Sequence, residues 1–578
     1  MSSEAEAPDE GDLLWDIVSG LAARGSPDAE RRYAEMLAEA APPEAMGEAA
    51  RGDTGGALPG NRTPTVDRLR NRKWVNYGQN LQTKVDFTYR VFNGNPRSWK
   101  NGWQGIVDVV RDVESRGDSL IPMGSRWSFS RAAMNRSCVV DLGVLSRRIR
   151  FDAWQTAPGV DPDELLHVQG GTLVQRVLTL VERSMGRALA AMGGNCGQAI
   201  AGAVATGSHG SFIGRPGYPD LVRALLVVAE GGKTYWLERK SRPVISEAFA
   251  EALAAGSVGG RKVEVLRDDD ALFDDAVVGL GAFGIVHSVV LETVPAYHVA
   301  LERSRRAASP ELMAALFDGD FDAIGLSVDP IELEVVLNPH RLKRQASGEW
   351  IGPNAAHVTI LEKIPVGPID PGGPPGASLN DRDLGKMIRG WAQLAPGTVP
   401  GLVDLLIPTL YPDRKVRGPL SVAFPLGITR APTISMEVGV DSSDARRTLD
   451  VILGYLSRTG FLLPGALAVR QTRKSTATLS VAAWPTTFTF EFALLGVKGI
   501  ENDLMKVLDD LESAGIAFRL NLGHIVSDQA GKPWLTASRM KAMYGAQQLD
   551  RWKKNRARLC PSGKVFRSEL TTNLGLTT

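Results

Sequence analysis

The sequence predicts an α+β fold in two parts, and three observations support this. Short apolar runs alternate with amphipathic helical segments between Trp74 and Tyr297, which is typical of a mixed α and β domain. After Tyr297 the strand candidates become longer, and the intervening helices indicate a large sheet with helices on one face. The 578 residues are 43% hydrophobic and 23% charged, a globular composition that excludes a disordered or collagen-like chain.

Residues 1–60 form an acidic extension, in which thirteen acidic and four basic residues give a net charge of −9. Residues 1–12 predict a disordered tail, and apolar residues at helical spacing over 13–21 predict a short helix. Ser26-Pro27 then begins a second helix, and a Pro/Gly/Ala-rich linker follows over 41–64. This helical hairpin either docks on a protein partner or covers the chain's own surface.

The next 230 residues or so, up to Tyr297, predict helices and strands in turn. Helical periodicity predicts helices over 106–117 and 173–186, each ending at a glycine, and short apolar runs predict strands. Beyond Tyr297, longer apolar runs predict further strands, with helices over 445–456 and 502–511. The predicted strands cover 139–142, 225–228, 286–291, 331–337, 434–440, 466–471 and 486–495, and a short apolar run over 120–123 leads into the turn 124–129.

Charge, hydropathy and cysteine content exclude several classes of protein. The 66 basic and 65 acidic residues leave a net charge of +1, which gives no chain-wide basic field for nucleic acid. No apolar run is long enough for a transmembrane helix, so we expect no membrane partner. Cys138, Cys196 and Cys560 are too few and too dispersed for a disulfide framework, and the histidines lack metal-ligand spacing. With no secretory signal evident, the sequence predicts a cytoplasmic protein without a metal site.

Two loops of small residues are candidates for binding an anion. The stretch 193–211 is rich in glycine, whose backbone N–H groups can approach a ligand closely, and Thr206, Ser208 and His209 add side-chain donors. The turn 124–129 is a second loop of this kind. Together they could grip one extended diphosphate; tight packing without a ligand is the alternative.

A third glycine motif, G-x-G-x-x-G over 279–284, matches the dinucleotide-binding fingerprint in its letters. That fingerprint needs a helix after the glycines, because the helix N-terminus faces the pyrophosphate. Here the β-branched run 285–291 follows, which predicts a strand. A Rossmann site is therefore excluded.

In combination these motifs resemble the vanillyl-alcohol-oxidase-type, or PCMH-type, FAD-binding flavoproteins, and among them the sugar, alditol and aldonolactone oxidases. The turn 124–129 is similar to the family's G-x-x-H-S-F turn, and 198–210 is similar to its second FAD loop. Residues 279–286 resemble the segment that closes the FAD domain, and 551–575 resemble the family's C-terminal ending. The resemblance covers the chain from about Arg70 to the end.

The resemblance implies a two-domain PCMH-type fold with a sheet-plus-helices substrate (cap) domain. The FAD-binding domain would cover 61–297 and be completed by 536–578, with the cap domain over 298–535 and the extension over 1–60. The cofactor would be FAD. The implied FAD-binding residues are Gly124, Ser125, Arg126, Trp127, Ser128, Phe129, Gln198, Ile200, Gly202, Thr206, Ser208, His209, Gly210, Gly284 and Ile285.

Two departures from the family pattern concern the attachment of FAD. The family's first loop often has a histidine that carries FAD covalently, and Trp127 stands at that position. Tryptophan cannot form this bond, so we expect non-covalent FAD. Cys196 lies near the position where doubly linked relatives bond a cysteine to flavin, and it is either such a link or a small buried loop residue.

The substrate side keeps one polar residue of the family and replaces others. Arg470 is retained, Glu491 stands where the family has a strand histidine, and His524 stands where it has a lysine. Arg470 would stabilise negative charge in the transition state, and His524 could take the alcohol proton. Glu491 would orient His524 or act as the base itself. A structural ion pair is the alternative.

The resemblance implies an FAD-dependent oxidase or dehydrogenase acting on CH–OH groups. It would oxidise an alcohol or hemiacetal carbon of a sugar-, polyol- or lactone-like small molecule by hydride transfer to flavin N5, with O₂ or another acceptor reoxidising the flavin. Two alternatives stay open. The replaced polar residues and the aromatic residues Phe488, Phe490 and Phe492 allow a biosynthetic oxidase of a non-sugar metabolite, although those rings are equally candidates for the core. The other alternative is a catalytically silent scaffold whose hairpin in residues 1–60 binds a protein partner.

Overall fold

The computed structural model describes residues 65–94, 98–372, 389, 392, 396–424, 432–528 and 530–577. Contacts divide the chain into Met1–Thr54 and Gly55–Thr578, and all described residues belong to the second unit. The predicted acidic tail, hairpin and linker lie outside the described residues. The predicted domain boundaries at 297 and 535 remain a prediction.

A four-stranded sheet comes first and positions the turn 124–129. Its strands are β1 (Val66–Val75), β2 (Gln82–Val91), β3 (Leu120–Met123) and β4 (Cys138–Asp141), in the order β1-β2-β4-β3. β4 pairs in parallel with both β2 and β3. Because β3 ends at Met123, the turn 124–129 begins at its carboxyl end.

A six-stranded sheet follows, in the order β10-β9-β8-β11-β6-β5, and β12 pairs with β7 beside it. Its central strand β11 lies antiparallel to β6 and β8 and follows directly on the glycine motif 279–284. The strands are β5 (Arg148–Ile149), β6 (Leu165–Gln169), β7 (Arg187–Ala188), β8 (Val222–Val228), β9 (Thr234–Glu238), β10 (Val263–Leu266), β11 (Ile285–Glu292) and β12 (Val294–Pro295).

The largest sheet within the described residues has nine antiparallel strands. Its order is β17-β13-β16-β14-β19-β20-β18-β21, with β15 paired to β16 at the side. The strands are β13 (His298–Ala308), β14 (Glu332–Leu337), β15 (Lys343–Arg344), β16 (Trp350–Ile364), β17 (Arg414–Gly418), β18 (Thr433–Asp441), β19 (Gly465–Arg473), β20 (Thr486–Leu495) and β21 (Phe518–Leu520).

The described helices connect and cover these sheets. They are α1 (Trp99–Ser115), α2 (Val174–Thr179), α3 (Ile200–Ala205), α4 (Tyr218–Leu221), α5 (Glu247–Ala255), α6 (Asp270–Val277), α7 (Pro310–Asp318), α8 (Val399–Leu410), α9 (Leu420–Ala423), α10 (Ala445–Thr459), α11 (Ile500–Ser513), α12 (Ala537–Tyr544), α13 (Ala546–Leu559) and α14 (Glu569–Asn573). The helix predicted over 106–117 begins earlier, because the Ser98 side chain accepts a hydrogen bond from the Lys100 amide and caps α1.

Helices cover both faces of the nine-stranded sheet, so the expectation of helices on one face is wrong. Phe488 of β20 contacts Phe317 of α7 on one face, with ring centroids 5.4 Å apart. Residue parity in a strand places Glu491 on the opposite face from Phe488. On that opposite face, α8 packs its aliphatic side chains against Ala466 and Ala468 of β19. Helix α8 covers only part of this second face of the sheet, and the uncovered part lines a cavity.

The C-terminal segment packs against the first half of the chain. The Leu120 amide at the start of β3 donates to the Val565 carbonyl at 2.7 Å, and Arg556 Nε donates to the Ala282 carbonyl at 3.0 Å. Asp275 of α6, fully buried, accepts from Arg551 and Asn555 of α13. Through the hydrogen bond from Arg556 to Ala282, the C-terminal segment stabilises the glycine motif 279–284.

Candidate active site

A cavity of 490 Å³ lies between the small-residue loops and the open face of the nine-stranded sheet. All three glycine-containing segments found in the sequence contribute to its lining: the turn 124–129, the stretch 193–209 and the motif 279–284. The opposite wall comes from β14, β18, β19, β20 and α8. Among the described residues, no helix has the length and apolarity to cross a bilayer, and no cluster of side chains could hold a metal ion.

The turn 124–129 and the stretch 193–211 are in close contact beside the cavity. A Cβ added to Gly124 would lie 2.5 Å from the Ala199 Cβ, so only glycine allows this approach. Arg126 has a left-handed backbone with φ of 60°, and its carbonyl accepts from the Tyr77 amide at 2.8 Å. That turn places the half-buried Arg126 in the cavity lining, and burial lowers the pKa of Arg126 overall although the charge of Asp141 acts to raise it. No carboxylate pairs with this guanidinium among the described residues.

These loops fit the diphosphate of FAD. The Ser125 hydroxyl is buried without a hydrogen-bond partner among the described residues. Gly194 and Gly202 line the cavity and have open space where a side chain would stand. An unpartnered hydroxyl, an unpaired arginine and accessible glycine backbone are the groups that an extended diphosphate requires.

Trp127 forms a wall of the cavity, at the position where the family resemblance implies a histidine. Its indole stacks on Tyr77, with ring centroids 3.8 Å apart and planes inclined by 12°. A Cβ added to Gly197 would lie 2.5 Å from the same indole, which fixes Trp127 between the two loops. The residue is thus a packed structural element of the site.

Cys196 lies behind the cavity wall. It is fully buried, its sulfur donates to the Phe424 carbonyl at 3.3 Å, and burial raises the pKa of the thiol to about 12. Its neighbours Asn195 and Gln198 line the cavity, whereas Cys196 does not. The structure therefore favours a small buried loop residue, and the alternative of a cysteinyl link to flavin remains a prediction to test.

Most of the residues assigned to FAD binding line the cavity, and three do not. Ile200 and Ile285 are fully buried in the core at the starts of α3 and β11. A Cβ at Gly210 would collide with the Met192 carbonyl, so this glycine serves loop packing. The residues that line the cavity are Gly124, Ser125, Arg126, Trp127, Ser128, Phe129, Gln198, Gly202, Thr206, Ser208, His209 and Gly284.

The sheet side of the cavity carries a buried charge network centred on Arg470. Its Nε donates to Glu334 Oε1 at 2.8 Å, and its terminal nitrogen contacts Glu491 and lies 3.7 Å from Glu437 Oε1. Burial alone would lower the pKa of Arg470, but the three carboxylates raise it well above its usual value. Arg470 is therefore a permanent cation held among carboxylates.

Ser435 connects Glu491 to His524. Its hydroxyl donates to Glu491 Oε1 at 2.7 Å and lies 2.9 Å from His524 Nδ1. Because the hydroxyl has one proton, which goes to the carboxylate, Nδ1–H of His524 must donate to Ser435 Oγ. This leaves Nε2, which has no recorded partner among the described residues, as the basic nitrogen.

His209 is tied to the sheet as well as lining the cavity. Its Nε2 lies 3.2 Å from Glu437 Oε2 and its Nδ1 lies 3.0 Å from the Gly210 carbonyl, so both ring nitrogens donate. Burial alone would lower the pKa of His209, but Glu437 raises it overall. Asn521 Nδ2 also donates to Glu437 Oε2, at 2.7 Å. His209 thus joins the second loop to the charge network.

Sequence reasoning missed several groups in this network, above all Glu332. Its side chain is fully buried and lines the cavity, and Oε2 has no hydrogen-bond partner among the described residues. Burial and then the charge of Glu334 raise the pKa of Glu332 to about 8. The sequence signal that could have identified it is that Glu332 and Glu334 lie two positions apart, and so on one face, in the otherwise apolar strand β14. The other missed residues are Glu334, Ser435, Glu437 and Asn521, together with Arg303, whose guanidinium lies 5.3 Å from the Tyr411 ring centroid.

Comparisons with known proteins identify a domain family and several relatives that the chain resembles. An FAD binding domain family matches residues 102–238. D-arabinono-1,4-lactone oxidase of Candida glabrata is 22% identical over 34% of this chain and 31% of its own length. L-gulono-1,4-lactone dehydrogenase of Mycobacterium tuberculosis is 26% identical over 36% of this chain and 39% of its own. The match thus spans only 31% and 39% of the length of these two curated relatives.

Solved structures resemble the chain over most of its length. Cholesterol oxidase from B. sterolicum has a TM-score of 0.64 at 13% identity, covering 89% of this chain and 99% of its own. A solvent-stable cholesterol oxidase has a TM-score of 0.60 at 14% identity, covering 91% and 100%. At this identity the likeness establishes the fold. Residues 102–238 match an FAD-binding domain, and the chain has the PCMH-type FAD-binding fold.

Proposed function

We propose that the chain is an FAD-dependent oxidoreductase that oxidises a CH–OH group of a small molecule. One observation carries the proposal: Arg470, Glu491, Ser435 and His524 form a continuous polar set on the same cavity that the three FAD loops line. A hydroxyl bound there would lie between a basic nitrogen and a permanent cation.

His524 is the proton acceptor in this proposal. Its Nε2 is the free nitrogen of a ring held by Ser435, and the cation formed on protonation is stabilised by Glu491 through Ser435. The carbinol O–H proton moves to Nε2, and bound FAD would accept the carbinol hydrogen as hydride, which leaves a C=O group. Two electrons and two hydrogen atoms leave the alcohol in total.

Glu491 orients His524 and does not serve as the base. Ser435 occupies Oε1 of Glu491 and Arg470 occupies Oε2. Burial alone would raise the pKa of Glu491, but Arg470 and then His524 lower it overall. A carboxylate so occupied is a poor proton acceptor, whereas the Arg470 charge stabilises developing negative charge on the substrate oxygen.

The names of the relatives bear on substrate and electron acceptor. The curated relatives support a sugar-, polyol- or lactone-like substrate, while the cholesterol oxidases act on a non-sugar alcohol by name. Both oxidase and dehydrogenase occur among the curated names, so O₂ and other acceptors are both candidates. We retain non-covalent FAD, since Trp127 replaces the linking histidine.

The test is anaerobic reduction of the flavin. The purified full chain, loaded with FAD, is mixed with a panel of alcohols, hemiacetals and lactones while the flavin absorbance is followed. We expect bleaching with at least one compound and recovery of the oxidised spectrum on addition of O₂ or an artificial acceptor. Tight FAD binding with no bleaching by any compound would instead favour a silent scaffold.

A further inference from the structure

We propose that the substrate is an alcohol with an apolar body, which lies against an aliphatic wall while its hydroxyl reaches the Arg470–Glu491 end of the cavity. This inference rests on the proposed function, and it narrows the substrate class to exclude polyhydroxylated sugars.

The open face of the nine-stranded sheet changes character along its strands. On β19, Arg470 is followed on the same face by Ala468 and Ala466 toward the start of the strand. On the antiparallel neighbour β20, Glu491 is followed by Ala493 and Leu495 in the same direction. The face therefore has one charged end and one aliphatic end.

Helix α8 completes the aliphatic end as a wall opposite the sheet. Leu406, Ile407 and Leu410 of α8 line the cavity, and Leu406 packs against Leu495 of β20. Ala466 and Ala493 line the same cavity from the sheet. Small alanines on the sheet and leucines on the helix leave space bounded by methyl and methylene groups.

The charged end offers few free groups to a ligand. Arg470 is engaged with Glu334 and Glu491, and Glu437 is engaged with His209. Glu332 Oε2 and Glu437 Oε1 are buried there without a hydrogen-bond partner among the described residues, and His524 Nε2 has no recorded hydrogen bond within them. Each hydroxyl of a polyol placed along the aliphatic wall would lose its hydrogen bonds to water without replacement.

Chain length of the ligand gives the sharpest test. The FAD-loaded full chain is titrated with 2-alkanones of increasing length, which are unreactive product analogues, and binding is read from the shift of the oxidised flavin spectrum. In parallel, 2-alkanols, an alditol and an aldono-1,4-lactone are compared by the rate of anaerobic flavin reduction. We expect the dissociation constant to fall about fourfold per added methylene until the wall is covered.

Three variants test whether the aliphatic wall is the surface that binds the alkyl chain of the ketone. Leu406→Ala removes part of the wall and should weaken binding of the longest ketone by about threefold to tenfold, with little effect on the shortest. Leu405→Ala is the matched control, because Leu405 lies on the same helix, is 67% exposed and does not line the cavity. Ala493→Leu fills the space instead of emptying it, and should shift the best ligand to a shorter chain.

The outcomes separate the two proposals. Ketone affinity that does not depend on chain length, or faster reduction by the alditol or lactone than by every 2-alkanol, would overturn the apolar substrate while leaving the redox proposal intact. If no alcohol reduces the flavin but ketone affinity rises with length and falls in Leu406→Ala, the apolar site stands and the redox proposal fails.

Discussion

Arg470 and Glu334 face each other as cross-strand partners of β19 and β14, with Nε of the arginine 2.8 Å from Oε1 of the glutamate. This ion pair fixes the guanidinium through Nε, and a terminal nitrogen of Arg470 contacts Glu491 at the cavity. The cation is thus positioned by the sheet itself. Strand register fixes the positions of both Arg470 and Glu334, so the Arg470 side chain has little freedom to move.

Replacement of Arg470 should damage both chemistry and folding. In Arg470→Met the buried carboxylates Glu334 and Glu491 lose their counter-charge, which should destabilise the fold by about 3–5 kcal/mol. Arg470→Lys keeps the charge but cannot contact both carboxylates as a fork, so it should retain more stability and still reduce flavin at least about tenfold more slowly. Thermal unfolding and anaerobic reduction of each variant measure the two effects. Equal stability of Arg470→Met and the parent would contradict the network.

Loss of the His524 imidazole should slow reduction without loss of FAD. We expect His524→Gln to lower the rate of flavin reduction by about 10²–10⁴-fold, since the proton acceptor is gone. Ser435→Ala keeps the ring but removes its support, and should cause a smaller decrease. FAD affinity should be unchanged in both. If His524→Gln reduces flavin as fast as the parent, another group takes the proton.

Glu332 should make the protein less stable as the pH rises. The pKa of Glu332 is raised to about 8 in the folded chain against an ordinary value of 4.5, so the folded state binds its proton more tightly than the unfolded state. The stabilisation is complete below about pH 4.5 and is lost as the pH rises toward 8. Glu332→Gln mimics the protonated form and should flatten this part of the profile of free energy of unfolding against pH. An unchanged profile would show that Glu332 ionises normally.

FAD should leave the protein when it is denatured. Trp127 cannot form the covalent bond, and Cys196 is fully buried, donates to the Phe424 carbonyl and does not line the cavity. Acid precipitation should therefore release all flavin into the supernatant, and Cys196→Ser should give the same result and the same flavin spectrum. Flavin that remains on the precipitated parent but not on Cys196→Ser would reveal a cysteinyl link.

The elements of the large sheet were readable from sequence where the apolar pattern is strong. The strand predicted over 486–495 is β20 at the same bounds, and the helix predicted over 445–456 is α10 with a longer C-terminal end. The strands β1, β2 and β13 were not predicted. Each has a solvent-facing side, and the charged residues on that side interrupt the apolar pattern by which a strand is identified.

The candidate site was readable only in part. Arg470, Glu491 and His524 came from a family resemblance, and the structure places all three on one cavity. Glu334, Ser435 and Glu437 belong to the same network because antiparallel register aligns the four strands β14, β19, β20 and β18, which single-strand patterns do not reveal. The same register explains why Phe488, Phe490 and Phe492 are core residues, since they point away from the Glu491 face.

The central claim is that this cavity removes a hydride and a proton from a bound alcohol. The most direct test is the anaerobic rate of flavin reduction in the parent and in His524→Gln, with FAD affinity measured on the same samples. We predict that an alcohol bleaches the parent, and that His524→Gln binds FAD equally well but bleaches at least about a hundredfold more slowly. An FAD-saturated parent that no alcohol bleaches would contradict the claim.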